Sequence, residues 1–298
     1  MTADPRGGTL RSMKKILFVP LIAALVLTLF AWPASRVGPR DVPVGVVGQA
    51  APPVDGVEFH PYPDAERARA AIEDREIYGA LTPDTVLVAS AASPVVAQAL
   101  THGAGAKPVE DVVAAPKEAN GLAASVLPLV LVGILTGVLS ATLATTGWRR
   151  AGLLVTGATL AGTVAALVIQ SWLGVVDGDF ATNAAALSLT VLAIGALVAG
   201  LTALLGHKGA ALGALTMVFV GNPFSGVATS PEMIPGGSLG QLLPPGAGGS
   251  LLRSTGYFDG AASGEHVAVL AGYALVGLTL LGVAALRERG RAPEPVPA

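Results

Sequence analysis

Six stretches of this sequence are apolar and contain no Asp, Glu, Lys, Arg or His. A helix needs about 20 apolar residues to cross the roughly 30 Å hydrocarbon core of a bilayer. Runs of this kind are typical of membrane-spanning helices rather than of soluble domains. The six runs are 16–34, 122–146, 151–176, 183–205, 209 to about 220, and 267–286. The sequence therefore predicts an α-helical integral membrane protein with six transmembrane helices, for which the lipid bilayer is the expected surrounding.

Composition excludes several classes of protein. Only 13% of the 298 residues are charged, against roughly 25% in an ordinary soluble domain. The net charge is −2 and no block of bases stands beside aromatic residues, so no nucleic-acid partner is expected. The chain has no Cys, which excludes disulfides, thiolate metal sites and Cys nucleophiles. Its four His residues are isolated from one another, and we predict no metal site.

Lys and Arg in the short loops predict the orientation, because these residues are retained on the cytoplasmic side. Threading six spans from a cytoplasmic N-terminus gives a multi-pass plasma-membrane protein with cytoplasmic tails at 1–15 and 287–298. The bases then in the cytoplasm are Arg6, Arg11, Lys14, Lys15, Arg149, Arg150, Lys208, Arg287, Arg289 and Arg291. The outer short loops hold Asp177, Asp179, Glu232, Asp259 and Glu265, with Arg253 as their only base.

The first span, 16–34, has a second interpretation. Lys14 and Lys15 followed by an apolar stretch are also typical of a cleaved signal peptide. The run is long for such a peptide, and residues 31–35 offer no clean small-x-small cleavage site. We therefore expect an uncleaved anchor.

Residues 35–118 alone have the composition of a soluble domain, and we expect them outside the cytoplasm. Hydrophobic patterning predicts strands at 42–48, 77–81 and 85–89 and helices at 64–75 and 94–100, the first opened by Asp64 as N-cap. This order predicts a small α/β domain between spans 1 and 2. Alternating acids and arginines on 64–75 indicate a solvated helix face with ion pairs inside the helix.

A five-helix transmembrane domain is predicted over 119–286, and it includes an unusual segment at 223–255. This segment is rich in Pro and Gly and holds one acid and one base, so it suits neither a straight helix nor a solvated loop. We predict an outer cap, defined as residues 223–255, with short helices near 237–243 and 246–255. Its role is either packing on the spans or movement as a gate in a substrate path. The candidate gate residues are Asn222, Pro223, Phe224, Ser225, Pro231, Glu232, Pro235, Pro244 and Pro245.

Small residues predict close helix packing, and missing residues restrict the mechanism. Gly133/Gly137 and Gly209/Gly213 have GxxxG spacing, and Gly152, Gly157 and Gly162 recur along the third span. The spans hold no Asp, Glu, Lys, Arg or His, so ion-coupled transport and catalysis are not expected and the protein is predicted not to be an enzyme. Because no Gly-Lys dipeptide occurs, the chain has no P-loop and no predicted cofactor. Any ATP is bound by another chain.

Four short motifs carry a resemblance to a known family. They are 222–226 (NPFSG), 230–235 (SPEMIP), 242–246 (LLPPG) and 79–83 (GALTP). Together with the order of an anchor span, an outer domain and five further spans, they make the chain similar to ABC-2 type permeases, especially the phage-infection-protein branch and similar actinobacterial proteins. The resemblance implies an export permease that moves an amphipathic or lipid-like substrate outward. It also implies a homo- or heterodimer that works with a cytoplasmic ABC ATPase.

The chain departs from that family at one point. Typical ABC-2 permeases join spans 2 and 3 through a cytoplasmic coupling helix, whereas here only residues 147–150 separate the two runs. The candidate ATPase contacts are the short cytoplasmic connections Trp148, Arg149, Arg150, His207 and Lys208. The alternative function is a non-transporting cell-envelope protein whose outer domain binds a partner.

Overall fold

A computed structural model of the protein describes residues 5–48 and 53–290. Its helices are α1 (Pro5–Ala34), α2 (Ala65–Glu73), α3 (Pro94–Gly103), α4 (Asn120–Leu143), α5 (Gly147–Ala166), α6 (Phe180–Leu205), α7 (His207–Leu215), α8 (Gly237–Gly240), α9 (Pro244–Tyr257) and α10 (Ser263–Arg289). α5 and α7 continue into π-helical turns at Leu167–Trp172 and Thr216–Gly221, and a 3₁₀ turn covers Pro231–Met233. The strands are β1 (Val42–Val47), β2 (Val57–Tyr62), β3 (Gly79–Leu81), β4 (Val86–Val88) and β5 (Val109–Asp111).

Four of these helices are long and apolar enough to cross a membrane. They are α4, α5 with its π-helical turn, α6 and α10. Of the other two predicted spans, 16–34 lies within α1, and α7 with its π-helical turn covers residues 207–221. The predicted helical membrane character is therefore confirmed, with four helices of sufficient length rather than the six predicted spans.

α6 is the centre of the helical part of the molecule. Within its apolar window 67% of the residues are buried, against 28% for α4, α5 and α10. Glycines bring the neighbouring backbones close to it: a methyl group on Gly133 would lie 2.8 Å from Ile194, and one on Gly213 would lie 3.0 Å from Val198. The prediction of close packing through small residues is confirmed at these positions. It is wrong for Gly152, where an added methyl group would meet open space.

Residues 42–111 form a five-stranded mixed sheet, which we call the sheet domain together with α2 and α3. The strand order is β2-β1-β3-β4-β5, with β3 and β4 antiparallel and the other pairs parallel. Asp64 caps α2 as predicted, since its carboxylate accepts a hydrogen bond from the Arg67 backbone at 2.8 Å. An apolar core that includes Ile72, Ala80 and Leu87 joins α2 to the sheet.

The sequence prediction missed both edge strands. β2 contains His60 and Pro61, which weaken a strand signal, yet Pro is tolerated at a sheet edge where its missing N–H costs no ladder bond. β5 is three exposed residues long. The prediction of ion pairs inside α2 is also wrong for Arg69, which pairs with Glu110 of β5 at 2.8 Å.

Two further boundaries differ from the predictions. α1 begins at Pro5, so part of the predicted tail at 1–15 is helical, and α10 extends the last span to Arg289. Residues 147–150 form the first turn of α5 rather than a loop, and the link between α4 and α5 is residues 144–146. Arg291 and the rest of the predicted C-terminal tail beyond Gly290 lie outside the described residues.

Candidate functional site

The cap is an irregular segment that ends in one fully buried helix. The two predicted short helices are present as α8 and α9. Every residue from Pro244 to Gly256 is buried. Pro244 and Pro245 begin α9, where their missing N–H groups have no intrahelical acceptor to lose. The second half of the cap is therefore packed into the protein, whereas Leu239 and Leu242 before it are exposed.

Backbone approaches hold the irregular part of the cap together. Gly226 and Gly236 have positive φ of 68° and 73°, a conformation that favours Gly. A methyl group on Gly240 would overlap the Phe224 carbonyl, and one on Gly237 would overlap the Pro231 carbonyl. The Gln241 amide also donates to the Ser225 carbonyl at 2.7 Å. Contacts this close allow the segment to move only as a unit or by breaking apart.

Pro223 interrupts the backbone hydrogen bonds at the start of the cap. Among the described residues, the side chains of Asn222 and Ser225 make no hydrogen bond that replaces them. The chain instead forms a π-helical turn, in which the Asn222 backbone N–H donates to Met217 at 3.0 Å. Phe224 packs against Trp32 of α1, with ring centroids 6.2 Å apart. The pyrrolidine ring of Pro245 lies against Gly221.

A polar network joins α9 to the neighbouring ends of α5 and α6. Asn183 is completely buried and donates to Gln170 at 3.0 Å and to the Asp177 carbonyl at 2.7 Å. Thr255 of α9 donates to the Asn183 side-chain oxygen at 2.6 Å. Because buried amides are costly without partners, these bonds fix the end of α9 against the two spans.

The sheet domain is bonded directly to the cap. The Tyr78 hydroxyl donates to Glu232 at 2.6 Å. Arg75 donates to the Ser250 carbonyl at 3.2 Å and to the Ser254 hydroxyl, and its guanidinium lies 5.3 Å from the centre of the Phe258 ring. We call Arg75, Tyr78, Glu232 and Arg253 the latch cluster, since the first two lie in the sheet domain and the last two in the cap.

Arg75 occupies an unusual backbone conformation for its residue type. It follows the C-cap of α2 with φ of 62°, the left-handed region that Gly adopts at lower cost. The strain coincides with a side chain that reaches across to α9.

The charges of the latch cluster are unbalanced. Arg253 is 4% exposed and donates to the Val227 carbonyl at 2.7 Å, while its Nε has no hydrogen-bond partner among the described residues. Burial, and then the positive charge of Arg253, lowers the pKa of Arg75 to about 10, so Arg75 stays a cation at neutral pH. Burial and the Glu232 carboxylate raise the pKa of Tyr78, which keeps the phenol protonated as a donor. The cluster thus holds two guanidinium groups and one carboxylate, and the carboxylate accepts its hydrogen bond from Tyr78.

Of the predicted gate residues, the structure brings Glu232 into this contact, and Pro231 packs beside Gly226 and Gly237. Pro235 is half-buried in the cap. Sequence reasoning missed Arg75, Tyr78 and Arg253 as members of the cluster. The available signal was that Glu232 and Arg253 are the only charged residues between 223 and 255, because an isolated charge in an apolar segment needs a partner.

The predicted ATPase contacts lie at the ends of the long helices that are opposite to the cap. Trp148 is 71% exposed and Arg149 stacks on its ring at 5.4 Å. Arg150 instead pairs with Glu288 of α10 at 2.8 Å and donates to the Ala144 carbonyl, with 12% of its side chain exposed. His207 and Lys208 are exposed at the start of α7. Trp148, Arg149, His207 and Lys208 are therefore accessible to a partner, whereas Arg150 closes the α4–α5 link onto α10.

No protein-family model, curated protein or solved structure matches the chain.

Proposed function

We propose that the protein is the membrane subunit of an ABC-2 type exporter. In this proposal it moves an amphipathic or lipid-like substrate outward with energy from a separate ATPase chain. α1 and α7 complete six spans, both termini are cytoplasmic, the sheet domain lies outside, and the chain works as a homo- or heterodimer in the plasma membrane. The observation that carries the proposal is α9, a helix buried from Pro244 to Gly256 that follows a Pro/Gly-broken segment and precedes the last span.

The contacts of α9 support a gating role for the cap. It is bonded on one side to the ends of α5 and α6 through Thr255 and Asn183, and on the other to the sheet domain through Arg75. Movement of the cap therefore requires the spans and the sheet domain to respond together. This coupling suits a gate on the outward side of a transport path, because irregular backbone at membrane depth is tolerated where it lines a cavity or is covered by protein.

The first test is ATPase capture. A tagged, full-length chain is purified from its native membrane, and we expect an ABC ATPase to copurify. Replacing the accessible bases with Arg149→Gln and Lys208→Gln should reduce its recovery. Arg150→Gln is the matched control, because that side chain is already paired with Glu288. This variant should lower the stability of the protein but leave recovery of the ATPase nearly unchanged.

The second test concerns the cap itself. Pro223→Ala combined with Pro231→Ala should leave a folded, inserted protein that has lost export of the amphipathic substrate or resistance to it. Wild-type activity at equal protein level would reduce the cap to packing.

The short α4–α5 link favours a second candidate, a non-transporting envelope protein whose sheet domain binds a partner, because residues 144–146 leave no room for a coupling helix. An intact protein that captures no ATPase would support this candidate over the exporter.

A further inference from the structure

The sheet domain contains an apolar cavity of about 370 Å³. Its floor is formed by one face of the sheet, since Val42 and Val44 alternate along β1 and are paired in register with Val57 and Phe59 of β2. Val96 of α3 and Met233 of the cap close the inner end, and both are buried. Pro39, Ala99 and Gly103 line the exposed mouth. The cavity is therefore open on one side and enclosed by three parts of the chain.

The lining determines what chemistry the cavity accepts. All the residues that line it are apolar, Pro or Gly. A polar group placed there would lose its hydrogen bonds to water without replacement, which is costly. A hydrocarbon group would gain from leaving water. The volume falls within the roughly 300–1,000 Å³ typical of small-molecule sites.

The position of the mouth identifies the source of such a group. Pro39 follows the end of α1 at Ala34 by a stretch of chain that spans at most about 18 Å. Trp32 lies in the last turn of α1, which ends at Ala34, and it is exposed. An exposed Trp at a helix end suits the headgroup layer. In the proposed orientation, Pro39 of the mouth therefore lies within about 18 Å of the end of the helix that enters the membrane.

The wall of the cavity is also part of the cap. The Met233 carbonyl accepts hydrogen bonds from the Gly38 backbone at 2.9 Å and from Arg40 at 3.1 Å. Glu232, the neighbour of Met233, is held by Tyr78. Any displacement of the cap would therefore change the shape of the cavity.

We propose that this cavity holds one hydrocarbon chain of a lipid-like amphiphile drawn from the outer leaflet of the membrane. The inference deepens the proposed function by assigning a binding site to its substrate class, and it rests on that function for its orientation and its biological role. Binding itself needs neither ATP nor an ATPase.

The test is photolabelling of the full-length protein in phospholipid nanodiscs. The probe is a phosphatidylcholine whose acyl chain carries a diazirine, and labelled peptides are mapped by mass spectrometry. We expect labelling at α3 or β2, in addition to the spans. Labelling confined to the spans would overturn the proposal. Labelling of the sheet domain only by a soluble diazirine fatty acid, added from the aqueous side, would overturn the membrane as the source.

Variants at the mouth make the test specific. Ala99→Phe should reduce labelling of the sheet domain by about tenfold, because a blocked mouth excludes methylenes whose burial drives binding. Gly103→Phe is a second variant, at a position where an added Cβ meets open space. Gln98→Phe, at an exposed neighbour that does not line the cavity, is the control and should label like the unmodified protein. Equal labelling in all three variants would contradict the assignment.

The two proposals fail in different ways. If no ATPase copurifies but the sheet domain is still labelled specifically, the exporter proposal is contradicted and the cavity proposal is supported. If an ATPase copurifies but the sheet domain is not labelled, the cavity proposal is contradicted and the exporter proposal is supported.

Discussion

At the residue scale, the hydrogen bond from Tyr78 to Glu232 is the most direct tie between the sheet domain and the cap. Tyr78→Phe removes a donor to a carboxylate, and hydrogen bonds to charged groups are worth about 1.5–3 kcal/mol. We expect a lower thermal unfolding temperature for this variant. Glu232→Gln keeps an acceptor for the hydroxyl and should cost less. Because the two side chains are in contact, the double variant should lose less than the sum of the single losses.

The same bond predicts a pH dependence. The folded-state pKa of Tyr78 is raised above its ordinary value, so its contribution to stability is complete below about pH 10 and is lost as the pH rises towards the folded-state pKa. The difference in unfolding temperature between the unmodified protein and Tyr78→Phe should therefore shrink above about pH 10. A difference that stays constant over the whole alkaline range would show that the phenol proton does not stabilise the contact. The same conclusion would follow if the losses of the two single variants simply added in the double variant.

At the scale of elements, α9 is held in place by glycines. A methyl group on Gly248 would overlap Thr190 of α6, and one on Gly249 would overlap Val227 of the cap. Gly248→Leu should thus cost about 1–3 kcal/mol through overpacking and displace α9 from α6. The expected signs are a lower unfolding temperature and increased proteolysis of the cap in mild detergent.

Gly272→Leu in α10 is the matched control for this change. An added Cβ there meets nothing within 4 Å, so the same substitution in another apolar helix should leave stability unchanged. Equal effects at positions 248 and 272 would mean that added bulk alone, and not the docking of α9, is responsible.

At the scale of the whole molecule, the proposed orientation predicts which surfaces reagents reach. The absence of native Cys makes single Cys substitutions easy to interpret. Asp74→Cys on the sheet domain and Glu265→Cys at the start of α10 should react with an impermeant maleimide in intact cells, because both positions are exposed. Trp148→Cys and Lys208→Cys, also exposed, should react only after the cells are permeabilised.

Arg150 is unsuitable as a labelling site on the inner face, since its side chain is largely covered by the contact with Glu288. Reaction of Lys208→Cys in intact cells would contradict the proposed orientation. The α6–α7 connection would then lie outside the cell, and the sheet domain would lie in the cytoplasm.

The sequence by itself determined the helical character, the four long apolar helices, the sheet domain and the two helices of the cap. These depend on local properties: the length of charge-free runs, the alternation of apolar residues, and the inability of Pro and Gly to continue a helix. The N-cap at Asp64 was predictable for the same reason, because its partner is three residues away. Weak local signals, as in β2 and β5, led to missed strands.

Only the tertiary structure decided how those parts meet. Arg75 and Ser254 lie far apart along the chain, and nothing in the sequence near Arg75 distinguishes it from the two arginines of α2. The apolar cavity likewise depends on β1, β2, α3 and Met233 coming together. Such contacts arise when distant surfaces exclude water from each other, and their pairing is set by three-dimensional shape. For this reason the sequence predicted the position of the cap but not the side chains that hold it.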